Sequence, residues 1–205
     1  MSWSEFIRVH KDVIWATDFF TAEVWTRFGL ITYYVLFFIH IGTRRIVLGG
    51  ISAHPNGEWM AQVARNITGF DGELIDAKYL IHDRDEKYTL RFDNMLKSAG
   101  VKPIRLPPQS PNLNAFCERV ILSAQVECTN KMIFFGEKSL RYALKNWLAY
   151  YHCERNRQSL DNKILFPNES VGELDSIIKC RQHRKRRETA EYWMSEGLSL
   201  FRDME

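Results

Sequence analysis

Three apolar runs separated by short polar breaks open the chain, and their spacing predicts strands. The first covers residues 13–20 and either ends there or runs on to Trp25. Thr26-Arg27-Phe28-Gly29 supplies a turn, 30–41 is the second run, 42–45 turns again, and 46–52 is the third strand. Loops this short between strands predict an antiparallel meander. The run 30–41 is rich in Tyr, Phe, Val and Ile, as a central strand buried on both faces would be. It is too short for a membrane span, which needs about 20 apolar residues.

The period then changes from two to 3.6. His54-Pro55-Asn56 opens a helix with Pro55 in its first turn, and Trp59, Val63 and Ile67 form its buried face. Gly69 and Asp71-Gly72 end it. Residues 79–81 read as a fourth strand, and 90–99 as a helix with Phe92, Met95 and Leu96 inward and Gly100 at its C-terminal end. Residues 101–106 read as a fifth strand. The prolines at 107, 108 and 111 stiffen the next loop, which separates that strand from a helix over 112–128. Phe134-Phe135-Gly136 breaks the chain before a last helix over 139–152, with Leu140, Leu144, Trp147, Leu148 and Tyr151 inward. Ahead of the first strand, Trp3, Phe6, Ile7 and Val9 make a short amphipathic lead-in with a helical turn. The whole is an α/β pattern, a mixed five-stranded sheet of three antiparallel and two parallel strands flanked by helices.

Composition narrows the chemistry. A chain of 205 residues with 45% hydrophobic content holds one sizeable core and a small appendage. A net charge of +3 excludes a uniform polycation, so any nucleic-acid footprint is local. The densest basic run is 179–187, where six of nine residues are Lys or Arg, including Arg184, Lys185 and Arg186. It is either a solvated run or an arm for phosphates. Cys117, Cys128, Cys153 and Cys180 form no CxxC pair. On one helix Cys117 and Cys128 share a face about 16 Å apart, too far for a disulfide. Reduced thiols and the lack of a secretory h-region suit a cytoplasmic protein with no membrane segment.

Carboxylates carry the candidate chemistry. Asp18 stands in an apolar strand, Asp83 and Asp85 follow the fourth strand, and Glu118 sits on a later helix. If the fold gathers them, they repel one another unless divalent cations intervene, and hard cations such as Mg²⁺ prefer oxygen ligands. Two such ions about 3.5–4 Å apart would clamp a phosphodiester. Asp85 competes with Asp83 for the second position, or else serves as a helix N-terminal carboxylate or a support beside the ions. His82 is not needed as a base and reads as a solvent-facing or capping histidine. Asn114, Glu118, Leu122 and Gln125 fall on one stripe of the helix. Asn114 either caps that helix or places its amide beside Glu118. Arg119 points about 100° from Glu118, so the two form no simple ion pair.

Four stretches in order, WATDFF, HDRDEKYTLRFD, PPQSPNLNAFCERV and YYHCERNRQSL, resemble the DDE transposases of bacterial insertion sequences, whose integrase core is shared with retroviral integrases. The resemblance implies a ribonuclease H-like fold over a core at 13–168, between a lead-in at 1–12 and a basic tail at 169–205. It implies Asp18, Asp83 and Glu118 as the catalytic and metal-binding acids, holding two Mg²⁺ (or Mn²⁺) ions, with Asp85 beside them. Asn114, Arg119, Gln125, Arg184, Lys185 and Arg186 become candidate DNA contacts. The implied partners are DNA, both element ends and target, further copies of the chain on that DNA, and a separate helix-turn-helix subunit or domain. The implied function is metal-dependent strand cleavage and strand transfer. The alternative is a truncated remnant that binds DNA weakly without catalysis. The chain departs from the resemblance at Asn156-Arg157-Gln158-Ser159, which lacks the expected Pro-His, and over 184–193.

Overall fold

In the computed structural model, residues 2–107 and 114–153 are described. The meander forms from strands β1 (Ile14–Thr26), β2 (Gly29–His40) and β3 (Ile46–Ser52), so β1 takes the longer of the two expected ends. Strand β4 (Tyr79–His82) then lies parallel to β1 on its other side, and β5 (Lys102–Arg105) parallel to β4. The order across the sheet is β3-β2-β1-β4-β5. The sequence pattern did not foresee a short sixth strand, β6 (Phe134–Phe135), which pairs parallel with Val24 and Trp25 of β1. Two residues give no period, so nothing in the pattern separates such a strand from a loop.

Side-chain alternation divides the sheet into two faces. Trp15, Leu36, Phe38 and Leu80 point to one face and form a core with Met60, Val63, Ala64 and Ile67 of helix α2 and with Phe92 and Leu96 of helix α3. Opposite parity turns Asp18 and Phe20 to the second face, where Phe20 meets the Phe37 ring 5.4 Å away. Only the later half of β2, Val35 to Ile39, is buried on both faces; Leu30 is exposed.

Local chemistry sets the helices. Helix α1 (Trp3–His10), longer than the expected single turn, is capped by Ser2 and places Phe6 and His10 each 5.3 Å from the Tyr79 ring. Helix α2 (Gly57–Thr68) begins later than expected, because Asn56 is its N-cap and accepts from Trp59 N at 2.9 Å, leaving Pro55 outside. Its buried face is broader than the expected stripe, with Met60, Ala61 and Ala64 beside Val63 and Ile67, and Trp59 only partly buried. Helix α3 (Leu90–Ser98) is capped by Thr89, and Gly100 follows it at φ +82°, the left-handed turn expected there. Helix α4 (Ala115–Glu127) buries Cys117, Val120 and Ala124 and lies against β1 and β2. A 3₁₀ turn at Thr129–Lys131 leads into β6 and then into helix α5 (Gly136–Cys153).

The chain divides into two compact units after Lys145. In the second, the described residues are the end of α5, where the Trp147 and Tyr151 rings lie 5.0 Å apart. The expected core end at 168 and tail at 169–205 lie outside the described residues. Among the described residues no helix is long and apolar enough to cross a membrane. Cys117 and Cys128 are free thiols.

A bulge between β2 and β3 puts Gly49 against the sheet, where a Cβ would lie 2.4 Å from the buried Phe38 ring. Gly49→Ala should therefore destabilise by about 1–3 kcal/mol, as overpacked cores do. A lowered urea midpoint with an unchanged slope is the expected result.

Candidate active site

Register brings the first two acids together. Ala16 pairs with Ile81, so two residues further on Asp18 stands level with Asp83, where β1 and β4 end their pairing. Binding sites in sheets with parallel strands form at such carboxyl ends. Asp18 is half-buried, its Oδ1 accepting from Phe19 N at 2.7 Å and its Oδ2 from Asn114 Nδ2 at 3.4 Å. Burial raises its pKa to about 7, against the lowering effect of the Phe19 N–H. The charges of Asp83, Glu118 and Asp85 push it further in the same direction. Carboxylates from within β1, from just past the end of β4 and from α4 therefore act on one another through space.

Asp83 Oδ1 accepts from Asp85 N at 3.1 Å. Asp85 differs in its charge balance. Its Oδ2 lies 2.7 Å from Lys87 Nζ, and its Oδ1 accepts from Lys87 N at 2.9 Å. It lies in the loop before α3, whose N-terminus Thr89 caps, so it is not the helix-terminal carboxylate considered above. Asp18, Asp83 and Glu118 make no ion pair with any described residue. The Lys87 ammonium also sits 4.8 Å over the Tyr34 ring and 5.5 Å from that of Phe19.

Helix α4 carries Glu118 exposed in its first turn. Asn114 occupies the N-cap position but makes no capping bond, which settles the first of its two alternatives. Its backbone, φ −115° and ψ 24°, is not helical. The side chain thus leaves the helical stripe and turns to Asp18 rather than Glu118. It is 5% exposed, and its Oδ1 has no hydrogen-bond partner among the described residues. Arg119 is exposed and Gln125 half-buried further along α4. The Arg44 guanidinium lies 3.8 Å over the Phe116 ring and ties the first turn of α4 to the β2–β3 turn. Arg184, Lys185 and Arg186 lie outside the described residues.

His82 is fully buried rather than solvent-facing or capping, because it shares the parity of Leu80 and points beneath α3. Its ring lies 4.5 Å from Tyr88, and burial lowers its pKa. Its Nδ1 donates to the Asp83 carbonyl at 2.7 Å, and its Nε2 lies 3.3 Å from Asp93 Oδ1. With the proton on Nδ1, Nε2 and Oδ1 are both acceptors, and neither has a hydrogen-bond partner among the described residues. Arg105 Nη2 lies 2.7 Å from Asp93 Oδ2. Arg84 Nε donates to Leu106 O at 2.9 Å, and Leu106 N to His82 O at 3.0 Å, fastening the ends of β4 and β5 together. Sequence reading missed Lys87, Asp93 and Arg105. The one available signal was Asp93 directly after Phe92, beside the apolar stripe of its helix.

The donor set, oxygen-rich and short of cations, fits hard divalent ions. Among the described residues no three His, Cys, Asp or Glu side chains are grouped closely enough to hold one ion.

Residues 99–164 match the family model described as Integrase core domain. The structure is similar to a chain of the simian T-cell lymphotropic virus intasome in complex with a PP2A regulatory subunit, with TM-score 0.52 and 11% identity. That match covers 78% of this chain and 56% of the other, so the chain spans little more than half the length of that relative. It is also similar to the catalytic core domain of BIV integrase, with TM-score 0.50 and 13% identity, over 85% of this chain and 99% of that one. The fold is that of integrase catalytic cores, ribonuclease H-like. No curated protein matches the sequence.

The pKa of Asp18 has a measurable consequence. A carboxyl that holds its proton more tightly in the fold stabilises the fold at low pH, and that contribution is lost as pH rises from about 4 through about 7. Asp18→Asn should therefore raise Tm at pH 8 in metal-free buffer by roughly 4–8 °C, about 2 kcal/mol, and change it little at pH 4. Thermal melts across that range check the sign.

Proposed function

We propose that this chain, whose residues 99–164 match the integrase core domain, is the catalytic core of a DNA transposase or integrase that cleaves and joins strands with divalent metal. Asp18, Asp83 and Glu118 would hold two Mg²⁺ or Mn²⁺ ions. The observation that carries this reading is Asp18 itself, half-buried, within electrostatic reach of Asp83 and Glu118, and without a cationic partner among the described residues. When bound, the ions would neutralise the carboxylates and supply a nucleophile for in-line displacement at phosphorus.

The chain's own residues would prepare that site. The Phe19 N–H and the Asn114 amide each take one oxygen of Asp18 and leave its remaining lone pairs free for a cation. Lys87 neutralises Asp85 and so reserves Asp83 for the metal. Glu118, exposed in the first turn of α4, gains from the positive end of the helix dipole. Arg119 and Gln125 on the same helix, with Arg184, Lys185 and Arg186 of the tail, would contact DNA phosphates. The burial of Asn114 argues against its direct contact with DNA. Further copies of the chain, together with a helix-turn-helix subunit or domain, would assemble on the DNA ends.

Metal-dependent nicking and strand transfer on a labelled oligonucleotide bearing the gene's flanking repeats test the reading. Asp18→Asn, Asp83→Asn and Glu118→Gln should each reduce the rate at least about a hundredfold. Activity surviving all three would assign the chemistry to a different site. Weak, salt-sensitive DNA binding without any cleavage would support the remnant reading instead. Gln125→Lys should tighten DNA binding at low salt and steepen the dependence of log K on log salt by about 0.9, one added phosphate contact. Titrations at several salt concentrations measure that slope.

A further inference from the structure

Past Phe19 the two faces of β1 differ. Ala22 and Val24 of β1 and Phe134 of β6 are buried, while Thr21, Glu23 and Trp25 alternate with them onto the opposite face and are exposed. Register carries that face across three strands. Trp25 pairs with Leu30 on one side and with Phe135 on the other, so these three form one row, each half or more exposed. Beside the row lies a hollow of about 370 Å³, lined by Trp25, Leu30, Met132 and Ile133, with Glu23 and Thr129 as polar members. Phe28 projects from the hairpin tip, 79% exposed, with the Arg27 guanidinium 4.6 Å over its ring. Thr26 holds that tip: its Oγ1 donates to Gly29 O at 2.9 Å and accepts from Phe28 N at 3.1 Å. Neither Arg27 nor Glu23 makes an ion pair among the described residues.

We propose that a second copy of this chain covers this face in a two-fold dimer, the Phe28 of each copy seated in the hollow of the other. Three observations select that occupant. The first is self-complementarity: one face carries both a projecting ring with a cation and an apolar hollow with a carboxylate, as a two-fold interface requires. Exchanging the tips would bring each Arg27 to the Glu23 of the other copy. The second is area. Trp25, Phe28, Leu30, Ile133 and Phe135 together expose about 500–600 Å², the upper end of what a monomer leaves bare. With a polar rim this approaches the roughly 800 Å² per partner of a stable interface. The third is charge. Glu23 at the hollow would repel phosphates, which disfavours DNA as the occupant. The held tip also lowers the cost of ordering on association. The dimer needs neither metal nor DNA, so its failure would leave the reading of the catalytic acids untouched.

Sedimentation equilibrium of the full chain, without DNA or metal, tests the proposal. Wild type should dimerise, and Phe28→Ser should weaken association at least about tenfold, as loss of an interface anchor does. Arg27→Glu would set two carboxylates face to face and should weaken it as well. Adding Glu23→Arg to Arg27→Glu restores opposite charges and should recover most of the lost affinity, which a merely disordered tip would not allow. Thermal melts at low concentration check that all variants fold as the wild type does. A wild type that stays monomeric at about 100 μM would overturn the proposal. A dimer whose affinity stays within about twofold of wild type in both Phe28→Ser and Arg27→Glu would overturn it too, since the copies would then meet through a different face.

Discussion

The structure depends first on the parallel pairing of β4 with β1, in the register that sets Ile81 beside Ala16. Asp18, Asp83 and His82 take their positions from that pairing. It sets Asp18 and Asp83 level where the two strands separate, and it points His82 down beneath α3. A slip of one residue would reverse the faces, burying Asp83 under the helix and lifting His82 to the surface. In the observed register Leu80 lies in the core with Trp15, Met60 and Phe92.

The same pairing creates the cost of the site. Bringing carboxylates together at half-buried positions raises the energy of their charged forms, and for Asp18 the effect is large. The chain offsets it unevenly. Asp85 has Lys87, and Asp93 has Arg105, but among the described residues Asp18 has only two neutral donors. Among the described residues, charge is thus compensated at Asp85 and Asp93 and left open at Asp18.

Most of the architecture was legible because long periodic runs report burial directly. Residues 46–52 form the third strand over that whole span, and β1, β2 and α3 end within a residue or two of their expected limits. The misses have local causes. Asn56 captures the Trp59 amide and moves the start of α2 past Pro55. The β1 run is apolar on both faces, so its alternation does not say which face Asp18 joins. His82 was misread for a related reason: a three-residue apolar run before it is too short to show its parity. Asn114 lies on the right stripe by spacing, but its nonhelical backbone sends it to Asp18. The partners of Asp93 come from β4 and β5, and no spacing within α3 could reveal them.

The length of β1 has a mechanical meaning beyond the sheet. Helix α4 is attached to this one strand at both ends: Asn114 is bonded to Asp18 at the start, and the chain just past the helix pairs as β6 with Val24 and Trp25. A helix of 13 residues is about 20 Å long, and the strand from Asp18 to Val24 rises about the same distance. Helix and strand therefore behave as a beam on two supports cut to equal span. Glu118, one turn from the first support, is thereby kept at the Asp18 end of the span, while the exposed side chains further along α4 lie toward the β6 end.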